Sequence, residues 1–225
     1  MTYSSLFFDL DNTLLDFYKS ESVAAAKVLC KHGLPYDNKT VKLYSEINQS
    51  YWEKFERSEI RKDEIFEGRF ITLAKTLGVS ADTRAISDDY FIFLSEGYFL
   101  IDGAIDILEY LKASGYKIYA TTNGFSLTQA KRIKNSGLAP YFDKVFVSED
   151  VGFQKPDKRY FEFIIENIPE KDKNRILVIG DSQSSDILGG INAGIDTCWF
   201  NTFGATAKYK SKFEITALAD LKNIL

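Results

Sequence analysis

The sequence predicts an α/β fold, a parallel sheet flanked by helices and interrupted by a helical insertion after its first strand. Three observations carry this. Five short runs, rich in Val, Ile or aromatics and bounded by Gly, Asp or Asn, have the look of strands buried on both faces. Helix-like segments lie between the later runs, an alternation that implies a parallel sheet covered on both sides. The stretch between the first run and the second holds no strand-like run, but repeats apolar residues at spacings of three and four.

In chain order, the first strand is Ser4–Phe8 (SSLFF). Helices follow over Ser20–Lys31, Thr40–Arg57, Lys62–Leu77 and Thr83–Glu96, the third patterned by Ile65, Phe66, Arg69, Phe70, Leu73 and Leu77. These four make up the insertion, so residues 1–15 with 99–225 form a core and residues 16–98 a second, helical domain. Within the insertion, Glu53–Arg69 carries eleven charged residues in seventeen, five basic and six acidic. Such a run reads as a solvated helical surface with i,i+4 pairs, the alternative being that a few of its side chains face a substrate. The core resumes with a helix at Ala104–Ala113 and strands at Lys117–Thr121, Lys144–Ser148, Arg175–Ile179 and Asp196–Phe200. Helices at Ser126–Ser136, Lys158–Asn167 and Ser184–Ala193 separate those strands. Ligands of such sheets bind beyond the carboxyl ends of the strands.

Composition narrows the function. The 225 residues suit one large domain, or one carrying an insertion. With 28 Lys+Arg against 32 Asp+Glu the net charge is −4, which argues against a nucleic-acid partner, since that needs a basic footprint. Two cysteines, Cys30 and Cys198, fit buried small hydrophobes in a reducing cytosol better than a disulfide framework or a zinc site. No uncharged apolar run approaches the ~18 residues of a membrane helix, and the N-terminus lacks a signal-peptide pattern. A cytoplasmic protein with no membrane partner is expected, as a monomer or small homo-oligomer. The single histidine, His32, sits at a helix end where capping is its ordinary role. Trp199 falls in a core strand and Trp52 in the insertion.

The chemistry gathers at strand ends. In LFFDLDNTLL a buried strand ends in Asp9, with Asp11 two residues on. Two carboxylates so placed repel unless a cation lies between them, and hard oxygens of this kind suit Mg²⁺ beside a phosphate. Alone, DxD is equally an ordinary turn. RILVIGDSQSSD repeats the event: Gly180 permits close approach, Asp181 ends the strand and Asp186 follows, while Ser182 is placed to cap a helix. YATTNG sets Thr122 past an apolar run, either a phosphate cradle or a turn made by Asn123-Gly124. Gln154-Lys155-Pro156 holds one lysine extended. Together these groups suit phosphoryl transfer. A carboxylate attacks phosphorus, Mg²⁺ and a lysine neutralise charge, and a second carboxylic acid moves the protons.

FFDLDNTLLD, ATTNG, QKPD and GDSQSSDILGG, in this order over Leu6–Gly190, resemble the haloacid-dehalogenase-like hydrolase superfamily. The resemblance implies a Rossmann-like core with a helical cap inserted after the first strand, and Mg²⁺ as cofactor. By it Asp9 is the nucleophile and Asp11 the general acid/base. Thr122, Asn123 and Lys155 hold the phosphoryl group, Lys155 also counting as catalytic. Asp181 binds Mg²⁺ with Asp9 and the backbone carbonyl of Asp11, and Asp186 orders the metal site from behind or through water.

YWEKFERSEI, EGRF, TTNGF, SEDVGFQKPDKRYF and DILGGINAGIDTCWFN are further similar to a pyrimidine-nucleotide 5′-nucleotidase branch. A nucleoside monophosphate is then the implied substrate, with Trp52, Phe55, Arg69 or Phe70 near the base. Rivals within the superfamily are a phosphosugar phosphatase or mutase and a haloacid dehalogenase, the last disfavoured by Asp11, Asp181 and Asp186. A response-regulator receiver gathers similar residues in a different order and lacks room for the insertion. Neither G-x-G-x-x-G nor G-x-x-x-x-G-K-[ST] occurs to support a plain nucleotide-binding module.

Overall fold

Six parallel strands make the sheet in this computed structural model, which describes residues 2–225. They are β1 (Ser5–Phe8), β2 (Lys117–Thr122), β3 (Lys144–Val147), β4 (Ile176–Gly180), β5 (Asp196–Phe200) and β6 (Phe213–Ile215), in the order β3-β2-β1-β4-β5-β6. The chain therefore builds outward from β1 in one direction, then returns to β1 and builds outward in the other.

Side-chain alternation explains why both faces are covered. Leu6 and Phe8 of β1, with Leu177 and Ile179 of β4, pack against Ile107, Leu108 and Leu111 of α5 (Ala104–Ala113). Phe7, Ile176 and Val178 point the other way, onto Tyr160, Phe161 and Ile164 of α8 (Lys158–Glu166). The remaining core helices are α6 (Ser126–Asn135), the short α7 (Ser148–Val151) and α9 (Leu188–Ala193). The five expected strands lie within one residue of their predicted bounds. The sequence reading has no β6, because FEI is only three residues long and its central Glu214 is exposed. The helix expected from Ser184 is a π-helical turn at Gln183–Ile187 running into α9.

Four helices fill the insertion: α1 (Phe17–Lys31), α2 (Asn38–Glu56), α3 (Lys62–Leu77) and α4 (Thr83–Ser95). The chain divides into two compact units, the residues up to Asp16 with Phe99–Leu225, and Phe17–Tyr98. Asp16 goes with the first unit because its N–H donates to the Phe99 carbonyl at 2.9 Å, beside an antiparallel bridge from Leu15 to Leu100. The second unit has its own core, including Ala24, Val28, Leu29, Leu73 and Ile86, with Phe70 stacked on Tyr44 at 5.0 Å. It also closes on itself, for the buried Ser20 hydroxyl donates to the Gly97 carbonyl at 3.0 Å.

The charged run behaves as a solvated surface over most of its length, with Arg57 paired to Glu59 and Arg61 to Asp63 in the open. Arg69 is the exception. It is 1% exposed and donates from Nη1 to Asn48 Oδ1 at 2.7 Å. Asn48 in turn donates to the buried Glu21, as does Ser45. Burial raises the Glu21 carboxyl, while the Ser45 and Asn48 hydrogen bonds and the Arg69 charge pull it back. No helix among the described residues is long and apolar enough to cross a membrane.

Candidate active site

Phe8 lies in register with Ala120 on β2 and Ile179 on β4. Asp9 follows, its N–H donating to the Ile179 carbonyl at 2.9 Å, so its side chain emerges where the strand order reverses. Open parallel sheets form their ligand crevice at such a point. Asp181 follows β4 on the other side of that reversal. The Trp199 indole donates to its carbonyl at 2.8 Å, and the buried Thr13 hydroxyl takes its N–H at 3.1 Å and meets Oδ1 at 3.3 Å.

Lys155 is buried between the acids. Its Nζ donates to Asp9 Oδ1 and Asp186 Oδ1, both at 2.6 Å, and to the Thr121 carbonyl at 2.9 Å. All three ammonium hydrogens are thereby engaged. Asp186, fully buried, also accepts the Ser182 N–H at 3.1 Å, so each of its oxygens has a donor. Gly180 makes room for it, since a Cβ there would collide with the Asp186 carboxylate. Ser182 is the cap the sequence predicts, accepting the Ser185 N–H.

Asn123 meets the backbone of Lys155. Its side-chain amide accepts the Lys155 N–H at 3.0 Å and donates to the Lys155 carbonyl at 2.9 Å. That two-sided pairing makes it a brace for Lys155. The Thr122 hydroxyl accepts the Gly124 N–H at 2.9 Å. The side chain of Asp11 turns away from Asp9 towards α6, where Gln129 donates to Oδ2 at 2.6 Å and Arg132 donates to Oδ1. Gln129, Arg132 and Thr13 went unnoticed in the sequence. Polar residues one turn apart on the helix after Thr122 were the available signal for the first two.

Electrostatics set a problem that the cluster must solve. Burial pushes the Asp9 carboxyl up to about 8; Lys155 pulls it back, and Asp186 and Asp11 add to the rise. Burial likewise holds Asp181 well above the usual carboxylate range, reinforced by Asp9 and Asp186. For Lys155 burial acts downward, but Asp186 and Asp9 outweigh it and raise the ammonium. Oxygens of Asp9, Asp181 and Asp186 lie within 4.8 Å of one another, three acids against one lysine. Hard oxygen donors with a surplus of negative charge fit a small divalent cation such as Mg²⁺.

Of the side chains expected near a base, Phe70 belongs to the core of its own unit. Phe55 is buried against the half-buried Trp52, ring centroids 5.9 Å apart. His32 pairs with Asp89 at 2.7 Å at the end of α1, and Cys30 near that end is exposed, so of the two cysteines expected to be buried only Cys198 is.

The haloacid dehalogenase-like hydrolase family matches residues 3–194. The HAD-hydrolase YfnB of Bacillus subtilis is 44% identical over 88% of this chain and 84% of its own length. Its magnesium-bound crystal structure superposes with a TM-score of 0.95, covering 100% of this chain and 99% of that one. The pyrimidine 5′-nucleotidase PynA of Streptococcus pneumoniae is 39% identical over 89% of this chain and 85% of its own. For the pyrimidine 5′-nucleotidase YjjG of Escherichia coli the figures are 32%, 89% and 87%.

Proposed function

The chain belongs to the haloacid dehalogenase-like hydrolase family, and from that membership we propose that it is a Mg²⁺-dependent phosphomonoesterase acting on pyrimidine nucleoside monophosphates. The observation that carries the phosphatase reading is the cluster of the buried Asp9 and Asp186, both paired to Lys155, with the half-buried Asp181 at the sheet's reversal point. The similarity to PynA and YjjG supports the substrate class.

In the proposed reaction an Asp9 oxygen attacks phosphorus. The Asp9 O–P bond forms as the ester P–O bond breaks, and Asp11 gives its proton to the departing alkoxide oxygen. Water then attacks the aspartyl-phosphate, Asp11 takes a proton from it, and the Asp9 O–P bond breaks to release inorganic phosphate. Thr122 offers its hydroxyl proton to a phosphoryl oxygen, and Lys155 carries positive charge to the transferred group. Mg²⁺, held by Asp9, Asp181 and the Asp11 carbonyl, would withdraw charge from the phosphoryl oxygens. Asp186, whose oxygens are both hydrogen-bonded, orients Lys155 and supports the metal ligands from behind.

These groups touch only what all phosphomonoesters share, so they contribute nothing to choosing among leaving groups. Discrimination falls to side chains outside the set. The test is phosphate release with Mg²⁺ from dUMP, dTMP, dAMP, a hexose phosphate and an aryl phosphate. The proposal expects the highest kcat/KM for dUMP and dTMP. A hexose phosphate winning would overturn the nucleotidase reading alone, whereas full activity in excess chelator would overturn the metal-dependent phosphatase.

A further inference from the structure

We propose that Gln129 and Arg132 of α6 are positioning residues that fix the plane of the Asp11 carboxylate and tie it to the Thr122 hydroxyl. The inference rests on the proposed role of Asp11 as the proton donor to the leaving group. Both side chains are 1% exposed, at i and i+3 on one face of the helix. Burying a guanidinium is costly unless it is paired, and its carboxylate partner here is Asp11.

The four groups form a closed set. Arg132 Nη1 donates to Asp11 Oδ1 and to Gln129 Oε1, the latter at 3.1 Å. Gln129 Nε2 uses its two hydrogens on Asp11 Oδ2 at 2.6 Å and Thr122 Oγ1 at 2.9 Å. Each Asp11 oxygen so receives a donor from α6 and keeps lone-pair capacity for the reacting proton. Thr122 Oγ1 accepts from both Gln129 and the Gly124 N–H, which directs its hydroxyl proton to some other acceptor, such as an anion. Gly124 completes the design, because a Cβ there would occupy the space of the Gln129 amide. One helical turn therefore couples the group that recognises phosphate to the group that moves the proton.

The experiment compares kcat and KM for dUMP, whose alkoxide needs protonation, with p-nitrophenyl phosphate, whose phenolate leaves without it. Variants are Arg132→Met, Arg132→Lys and Gln129→Leu, with Asp11→Asn as reference and folding checked by thermal melting. General acid catalysis contributes about 10²–10⁴-fold, so Asp11→Asn should lose that much on dUMP and far less on p-nitrophenyl phosphate. Arg132→Met and Gln129→Leu should show the same contrast at about 10–100-fold in kcat, with Arg132→Lys recovering part of it. Gln129→Leu alone should also weaken inhibition by inorganic phosphate. Equal losses on both substrates in Arg132→Met and Gln129→Leu, with the contrast present in Asp11→Asn, would overturn the inference and spare the role of Asp11. Absence of the contrast in Asp11→Asn would overturn that role and the inference with it.

Discussion

Replacing Lys155 by Met should cost far more stability at pH 8 than at pH 5. The wild-type ammonium makes three hydrogen bonds, two of them to buried carboxylates at 2.6 Å. Methionine fills much of the volume but strands those acids, and breaking a buried pair costs about 3–5 kcal/mol when the remaining charge stays. A stranded carboxylate escapes by taking up a proton. From an ordinary carboxylate pKa of about 3.9, that costs about 1.4 kcal/mol per pH unit, so about 1.5 kcal/mol at pH 5 and more than 5 kcal/mol at pH 8.

Burial already raises wild-type Asp9 to about 8, so the added pH dependence comes from the extra proton uptake of the folded variant once the ammonium is gone. A group raised on folding contributes stability that is fully present below its unfolded value and is lost as pH rises through its folded value. Removing the lysine removes the largest influence opposing that rise. The variant should therefore be about 1–2 kcal/mol less stable than wild type at pH 5 and about 3–5 kcal/mol less stable at pH 8. Mg²⁺ should restore part of the loss at pH 8, where the acids are ionised. Urea unfolding in EDTA and in Mg²⁺ at the two pH values measures this. Equal destabilisation at both pH values would refute the reasoning.

Three further outcomes are expected. Asp9→Asn should abolish phosphate release yet raise the melting temperature at pH 8, since it deletes a buried charge and keeps the shape; near-wild-type turnover would sink the assignment of the nucleophile. Asp181→Ala should raise the Mg²⁺ concentration needed for half-maximal activity at least about tenfold, consistent with loss of one direct ligand; an unchanged Mg²⁺ titration would place the metal elsewhere. Arg69→Met should destabilise the protein by about 3 kcal/mol, by leaving the buried Asn48 Oδ1 without its donor and the buried Glu21 without its nearby counter-charge, as measured by urea unfolding, whereas a solvated residue would cost less than about 0.5 kcal/mol.

Strands were legible because a strand buried on both faces has to be apolar along its length, and β1, β2, β4 and β5 are almost entirely buried. Asp9 and Asp181 stood out because an acid directly after such a run has no packing reason to be there. Gln129 and Arg132 stay hidden for the opposite reason. Each lies in a helix among other polar residues, and a period of 3.6 says which face a residue shares but not which carboxylate waits opposite it. The bracing of Lys155 by Asn123 has no sequence signal, because its partner is the backbone of Lys155, far along the chain and adjacent only once β2 and the Lys155 loop are assembled.

The closure of the insertion on itself bears on how the chain reaches this state. β1 must find β2 across all of Phe17–Tyr98, a separation that ordinarily slows folding. A helical unit folds quickly from local contacts, and once Ser20 meets Gly97 its two ends stay together. The search between β1 and β2 then spans only the residues outside that unit, about a quarter of the original length. Two halvings of a flexible loop recover about 1 kcal/mol of closure entropy. Folding of the helical unit thereby becomes an early step that speeds assembly of the sheet, and a substitution that loosens Ser20 from Gly97 slows the pairing of strands it never touches.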